Sequence, residues 1–125
     1  LPAGWRIPTK EDWEKLIDEL GGTEVAGGKM KITGTGNFDN TGTNSSGFSA
    51  FASGHRIGAT ADIRSGNFVG GGRTATLWVD PPPTCIRCDG TSAYQSIQLS
   101  TTNDKAFYSD GSIFDRSYSI RLVKN

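Results

Sequence analysis

The chain is poor in the residues that most often carry catalysis or bind metals. Its 125 residues include one histidine, two cysteines and one methionine. His55, Cys85 and Cys88 fall short of the four nitrogen and sulfur ligands that a structural zinc site needs. We therefore expect no structural zinc site, no metal among the site residues and no cofactor, while a structural ion bound by loop oxygens stays open. The cysteine count leaves the redox compartment open.

The chain also lacks an excess of either charge and any long apolar segment. Thirteen basic and thirteen acidic residues cancel to a formal net charge of zero, which removes the electrostatic reason to expect nucleic acid as a partner. No apolar run is long enough to span a bilayer, so we expect no membrane insertion by this domain. Signal peptide and initiator methionine are absent, which we interpret as a mature or excised domain.

Glycine, by contrast, is abundant. The chain has 17 glycines, well above the usual share of about 7%. Together with many Ser, Thr, Asn and Asp residues, they predict numerous turns and long connections. The length of 125 residues predicts one domain spanning the whole chain, 1–125.

The N-terminal segment carries a complete helix signature. Thr9 can cap the first turn, and Asp12 lies at the capping-box position three residues later. Gly21 and Gly22 are the residues expected to end such a helix. Apolar residues at i, i+3, i+4 and i+7 predict one buried face: Trp13, Leu16, Ile17 and Leu20.

The remainder predicts short strands joined by loops. Residues 33–49 form a long excursion with Phe38 and Phe48 as anchors, and residues 48–51 are predicted to be a short buried piece. The segment 54–58 is interpreted as a turn. Strands are predicted at 74–79, 93–99 and 117–123, with a turn at Asp110–Gly111. The last alternation places three residues on one side: Tyr118, Ile120 and Leu122.

These elements predict an α+β fold with one or two helices, short antiparallel strands and long loops. Large aromatic side chains dominate the burial of small domains. We therefore expect the three tryptophans to lie in the core: Trp5, Trp13 and Trp78.

Three separated pieces of the sequence resemble one family. Residues 4–9 are Gly-Trp-Arg-Ile-Pro-Thr and are followed by Trp13. Residues 44–50 are Asn-Ser-Ser-Gly-Phe-Ser-Ala and are followed by Gly-His-Arg at 54–56, where the family commonly has an aromatic before the arginine. Residues 119–124 are Ser-Ile-Arg-Leu-Val-Lys. Together they resemble the Fibrobacter succinogenes major paralogous domain, a family related to formylglycine-generating-enzyme-like domains and through them to the C-type lectin fold.

The resemblance implies a C-type-lectin-like fold, in which the two termini meet in a small sheet and a second region of strands and loops presents a binding surface. Members are typical of exported or cell-surface proteins. Some similar domains are variable proteins of diversity-generating retroelements, including phage receptor-binding proteins. The implied location is extracellular, on a bacterial, archaeal or phage surface. The implied partner is a protein or glycan on another cell or particle.

The chain departs from the family after Trp78. Members commonly continue with Ser-Ser, whereas this chain has Val79-Asp80, a proline triplet and the cysteine pair. Each residue from Val79 to Asp89 is of a type that adenine mutagenesis of an asparagine-type codon can reach. Tyrosine and arginine are also frequent at binding hot spots. We predict the following ligand-binding residues: Val79, Asp80, Pro81, Pro82, Pro83, Thr84, Ile86, Arg87, Tyr94, Ser96, Phe114, Asp115, Arg116 and Tyr118.

Two alternatives remain open beside this non-enzymatic binding module. One is a structural or adhesin-associated domain of a bacterial surface lipoprotein with no diversified site. The other is an oxidase that uses Cys85 and Cys88, whose spacing matches redox motifs but lacks the helix N-terminus that activates such a thiol. His55 is the one imidazole base available, and we interpret it as a polar-tipped aromatic in a turn. The tripeptides of calcium-dependent sugar lectins are absent, so we expect no calcium-mediated sugar binding.

Overall fold

The computed structural model describes residues 1–58, 66–80, 94–112 and 116–125. Two α-helices precede a set of short strands, so the fold is mixed α+β. A 3₁₀ turn, Phe38–Asn40, follows the helices. The helices and strands are α1 Lys10–Glu19, α2 Thr23–Met30, β1 Trp5–Arg6, β2 His55–Ile57, β3 Asn67–Val69, β4 Thr74–Trp78, β5 Tyr94–Ser100, β6 Ala106–Ser112, β7 Arg116–Ser117 and β8 Val123–Lys124.

Helix α1 confirms the prediction made from its caps. The hydroxyl of Thr9 accepts from the amide of Asp12, and the Asp12 carboxylate accepts from the amide of Thr9 at 2.8 Å. Gly21, with φ of +102°, and Gly22 donate to carbonyls of the last turn, which closes the C-terminus. Trp13 is buried on the predicted face of the helix.

Helix α2 uses glycine to approach the β5–β6 turn closely. The amide of Gly28 donates to the carbonyl of Asp104 at 3.1 Å. A Cβ atom on Gly27 would lie 2.2 Å from the carbonyl oxygen of Lys105. The two glycines therefore set the distance between this helix and the sheet.

The strands form three small sheets. β1 and β8 pair in antiparallel fashion, with Trp5 opposite Lys124, so the two termini meet in a sheet as the resemblance implied. The second sheet has the order β3-β2-β7 and the third has the order β4-β5-β6. In the third sheet, β5 is the central strand and contributes Ile97 and Leu99 to the core.

Both helices, the long excursion and the third sheet share one hydrophobic core. Phe38, in the excursion, is fully buried although its φ is +50°. Phe48 packs on Trp13 with a ring-centroid distance of 5.9 Å, so both predicted anchors of the excursion are confirmed. The buried apolar residues are Trp13, Ile17, Ala26, Met30, Phe38, Ala50, Ala52, Ala75, Leu77, Val79, Ile97, Leu99 and Ala106.

A buried lysine lies at the edge of this core. Lys31 follows α2 and has no solvent exposure. Its ammonium group donates to the hydroxyl of Thr41 and to the carbonyls of Ser100 and Asn103, each at 3.0 Å. All three N–H donors of the ammonium are thereby used. The side chain joins the helix, the long excursion and the turn after β5.

Several predictions of burial and turn position were wrong. Trp5, expected in the core, is 43% exposed, because it lies in a two-residue terminal strand with little cover. Phe51, placed in a buried piece, is 61% exposed. The segment predicted as a turn at 54–58 contains β2, the central strand of its sheet. Asp110–Gly111 lie within β6, where the register against β5 shifts, so these turn-forming residues form a bulge.

Candidate functional site

The C-terminal ends of β2 and β4 lie at the same end of the second and third sheets. Each is paired there with neighbouring strands. At the end of β4, Trp78 lies opposite Ser96 near the start of β5. At the end of β2, Ile57 lies opposite Asn67 of β3 and Arg116 of β7. A parallel bridge joins the start of β2 to the start of β4. Because the two strands run the same way, their C-terminal ends face the same side of the molecule.

An aromatic cluster connects Trp78, at the end of β4, with His55, the first residue of β2, through Tyr118. The rings of Trp78 and Tyr118 are 4.6 Å apart between centroids, and His55 meets Tyr118 edge-on at 5.8 Å. The backbone fixes the first pair, since the amide of Trp78 donates to the carbonyl of Ser119 at 3.0 Å. The amide of Ser119 in turn donates to the carbonyl of Thr76 at 3.0 Å. All three rings are half-buried, so each keeps one side toward solvent.

Arg116 adds a positive charge to the cluster. Burial lowers the pKa of His55, and the charge of Arg116 lowers that pKa further. His55 is therefore a neutral imidazole at pH 7. Within the described part of the chain, its Nδ1 atom has no hydrogen-bond partner. The cluster thus combines flat aromatic surface, a guanidinium and a buried polar nitrogen, the side-chain types that dominate binding hot spots.

The structure brings together two of the residues that the sequence predicted for the ligand site. Arg116 and Tyr118 both belong to the aromatic cluster. Val79 and Ser96 do not face a ligand, which corrects the prediction: each is 1% exposed. Val79 is held against β5 through its amide, which donates to the carbonyl of Gln95 at 3.2 Å. Ser96 lies on the central strand of the third sheet, where both neighbouring strands cover its edges.

Asp80 lies apart from the cluster. It is exposed, and its amide donates to the carbonyl of Pro8 at 2.8 Å. Its charge raises the pKa of Arg6, after the larger effect of the hydrogen bond between Arg6 and Asp12. Asp80 therefore joins the strand to the N-terminal segment.

Tyr94 is the first residue of β5 and pairs with Ser112 in the backbone register. Its backbone therefore lies at the same end of the third sheet as Trp78. The other predicted site residues lie outside the described residues, and so do both cysteines: Pro81, Pro82, Pro83, Thr84, Cys85, Ile86, Arg87, Cys88, Phe114 and Asp115.

Sequence reasoning missed two members of the cluster. Trp78 was assigned to the core and His55 to a turn, yet both pack against Tyr118. The sequence offered one signal for His55, which occupies the position before Arg56 where the family commonly has an aromatic residue. Alternation along 74–78 also places Trp78 on the face opposite the buried Leu77.

The described ranges offer neither a set of metal ligands nor a membrane span. Among those residues, no three His, Cys, Asp or Glu side groups meet at a common point. None of the helices described is long and apolar enough to cross a bilayer.

The architecture and the N-terminal signature define an α+β domain with paired termini and an aromatic cluster that connects two of its sheets. The family model of the Fibrobacter succinogenes major domain matches residues 1–124, and the chain belongs to this family. No curated protein matches the chain significantly. No solved structure does so either.

Proposed function

We propose that this chain is a non-enzymatic ligand-binding domain whose ligand face includes the aromatic cluster. The observation that carries the proposal is the grouping of four side chains from β2, β4, β7 and the residue after β7: His55, Trp78, Arg116 and Tyr118. Aromatic rings and arginine provide large contact area and directional hydrogen bonds with few rotatable bonds, which favours recognition.

The finer identity of the fold is part of this proposal. A C-type-lectin-like fold is supported by the pairing of β1 with β8, which joins the two termini in a small sheet separate from the two sheets that carry the cluster. In such an arrangement the helices and the terminal sheet are the frame, and the opposite strand ends carry the ligand face. Rewriting residues on that face would leave the buried core unchanged.

Retroelement diversification is the proposed origin of the unusual segment after Asp80. It is supported by the residue types from 79 to 89 and by the family to which the chain belongs. Sequencing the gene from many cells of one population tests it. Adenine changes confined to codons 79–116, with codons 4–20 fixed, would support diversification. An unchanged region would leave a fixed surface module, the lipoprotein-domain alternative.

The proposed partner is a protein or glycan on another cell or particle, and the proposed location is the extracellular or cell-surface compartment. Zero net charge supports recognition by shape and scattered polar contacts rather than by electrostatic attraction. No long-range field would then steer the partner, so salt should have little effect on the association rate.

Binding to a glycan array and to surface-protein extracts tests the ligand face. We expect Tyr118→Ala and Arg116→Gln to lower affinity at least tenfold for any ligand found, with secondary structure retained. Phe68→Ala is the matched control, because Phe68 is 80% exposed on β3 and lies outside the cluster. Binding that survives both cluster variants but fails with the control would refute this choice of face.

The oxidase alternative needs a reactive thiol at Cys85 or Cys88. Thiol titration distinguishes the two proposals, because a catalytic cysteine has a low pKa and reacts rapidly at neutral pH. Slow, ordinary thiols or a stable disulfide would favour the binding domain.

A further inference from the structure

A groove lies on a different face from the aromatic cluster, between the segment 48–53 and the segment 119–121. Its cavity volume is about 260 Å³. Its floor is formed by Ala50, Ala75 and Leu77, which are core residues with exposures of 7% or less. Leu77 and Trp78 are neighbours in β4, and side chains alternate along a strand. The groove and the cluster therefore lie on opposite sides of this strand.

The walls of the groove are apolar and open to solvent. Phe51 is 61% exposed and Ile120 is 56% exposed, and both line the groove. A ligand that covers them would remove apolar surface from water, which is favourable by about 25 cal/mol for each Å² covered. The walls and floor together favour an apolar group as the occupant.

Among the described residues that line the groove, one carries a positive charge, Arg121. The guanidinium of Arg121 stacks 4.8 Å from the ring centroid of Phe48, which in turn packs on the buried Trp13. Stacking on the ring face leaves the in-plane N–H donors available for a planar carboxylate. Of the residues that the structure describes, the ion pairs do not include Arg121.

The hydroxyl groups that line the groove are already engaged. The hydroxyls of Ser53 and Ser119 hydrogen-bond to each other at 2.8 Å. The hydroxyl of Ser49 accepts from the side-chain amide of Asn44 at 2.9 Å. A sugar would therefore meet an apolar floor and hydroxyls that already use part of their hydrogen-bonding capacity, which offers its many hydroxyl groups few partners.

We propose that this groove binds an extended peptide in which an apolar side chain lies beside a carboxylate. The apolar side chain fills the space between Phe51 and Ile120, above the alanine floor. The carboxylate, from an acidic residue of the peptide next to the apolar one, pairs with Arg121. We choose this occupant because its carboxylate complements the charge of the stacked guanidinium and its apolar side chain suits the apolar floor. The choice does not depend on the ligand proposed for the aromatic cluster.

A titration followed by amide chemical shifts in the ¹⁵N-labelled protein tests this proposal. The probe is the acetylated, amidated tetrapeptide glycine–leucine–glutamate–glycine, at up to 10 mM. We expect saturable shifts at the amides of Phe51, Ile120 and Arg121. Analogues with serine in place of leucine, or glutamine in place of glutamate, should bind at least fivefold more weakly.

Variants test whether the tetrapeptide binds at the groove or at another surface. Arg121→Gln should weaken binding of the tetrapeptide about tenfold and abolish the preference for glutamate over glutamine. Arg73→Gln, at an arginine outside the groove, is the matched control and should leave binding unchanged. Tyr118→Ala should also leave it unchanged, so that failure here and failure of the proposed ligand face can be distinguished.

Three results would overturn the proposal. The first is the absence of saturable shifts at 10 mM. The second is equal weakening by Arg121→Gln and Arg73→Gln. The third is saturable binding of glucuronate at the groove without binding of the tetrapeptide, which would assign the site to an acidic sugar.

Discussion

The ammonium nitrogen of Lys31 lies 3.0 Å from the carbonyl oxygen of Asn103, 72 residues further along the sequence. This contact connects the end of helix α2 to the turn between β5 and β6. The exposed carboxylate of Asp104 lies 3.5 Å from the same nitrogen and adds partial charge compensation. A buried cation is tolerated here because three hydrogen-bond acceptors replace its water.

We predict that Lys31→Met destabilises the fold by about 3 kcal/mol, since it leaves two part-buried carbonyls without their donor. Urea unfolding at pH 7 measures this value. Thr41→Val removes one acceptor and should cost about 1 kcal/mol, which keeps the test informative if the methionine variant fails to fold. The control Lys105→Met breaks an exposed pair with Glu24 and should change stability by less than about 1 kcal/mol. Equal losses for Lys31 and Lys105 would contradict the assignment.

Gly27→Ala is expected to destabilise the protein, although alanine normally favours a helix over glycine by about 1 kcal/mol. The added Cβ would lie 2.2 Å from the carbonyl oxygen of Lys105, so helix α2 must move away from the sheet. We expect a loss of about 2 kcal/mol in the free energy of unfolding. Gly71→Ala is the control, because nothing lies within 4 Å of its Cβ position and its φ is not in the left-handed range. A gain in stability for Gly27→Ala would show that the helix is not held this closely.

The carboxylate of Asp12 should make stability depend on pH in the acid range. The hydrogen bond from Arg6 holds the pKa of Asp12 well below its usual value, with further help from the capping contacts of Thr9. A folded-state pKa below the unfolded value of about 3.9 means that this contribution is complete above about pH 5 and is lost progressively as the pH falls through the unfolded value toward the folded one. Asp12→Asn should therefore cost about 1 kcal/mol at pH 7 and much less at pH 2.5.

Thermal unfolding of the Asp12→Asn variant at the two pH values checks this prediction. Asp18→Asn, at an exposed position on the same helix, serves as the comparison. The prediction fails if the difference between wild type and Asp12→Asn is the same at both pH values.

His55 should make stability depend on pH in a higher window. Its pKa is lowered, first by burial and then by the charge of Arg116. Between the folded pKa and the unfolded value of about 6.5, the unfolded state binds a proton that the folded state does not. The native state therefore loses stability as the pH falls from about 7 through this window.

The variant His55→Tyr removes the imidazole that takes up this proton and keeps an aromatic ring against Tyr118. Urea unfolding at pH 7.5 and pH 5.5 should show a larger loss for the wild type than for His55→Tyr. Since the protein has one histidine, the difference between the two proteins isolates this group. Identical pH dependence in both would show that the His55 pKa is not lowered by folding.

Local signals predicted the parts of the fold that depend on local physics. Helix α1 has its caps, its apolar face and its terminal glycines within 14 residues, and its capping box and the burial of Trp13 and Ile17 were confirmed. Strand β4 was predicted from its β-branched and aromatic content and was also confirmed. Asp110–Gly111 was predicted as a turn. The pairing of β5 with β6 continues past these two residues, which form a bulge instead.

The candidate site was predicted less well, because its members are far apart in the sequence. Tyr118 was identified by its residue type, but its contact with Trp78 depends on two backbone hydrogen bonds made by Ser119. Val79 was chosen because its residue type is one that adenine mutagenesis can reach, a signal that carries no information about burial, and it is 1% exposed. A sequence shows which side chains are of a chemical type that suits binding, but it does not show which of those side chains are exposed.

The sequence by itself determined helix α1, the α+β class and the family, since each is encoded in spacing that neighbouring residues share. Tertiary structure alone decided that Lys31 is buried, that Ile120 is exposed and that His55 meets Tyr118. These outcomes depend on which distant segments provide acceptors or cover, and the alternation of residues along a short strand does not specify that.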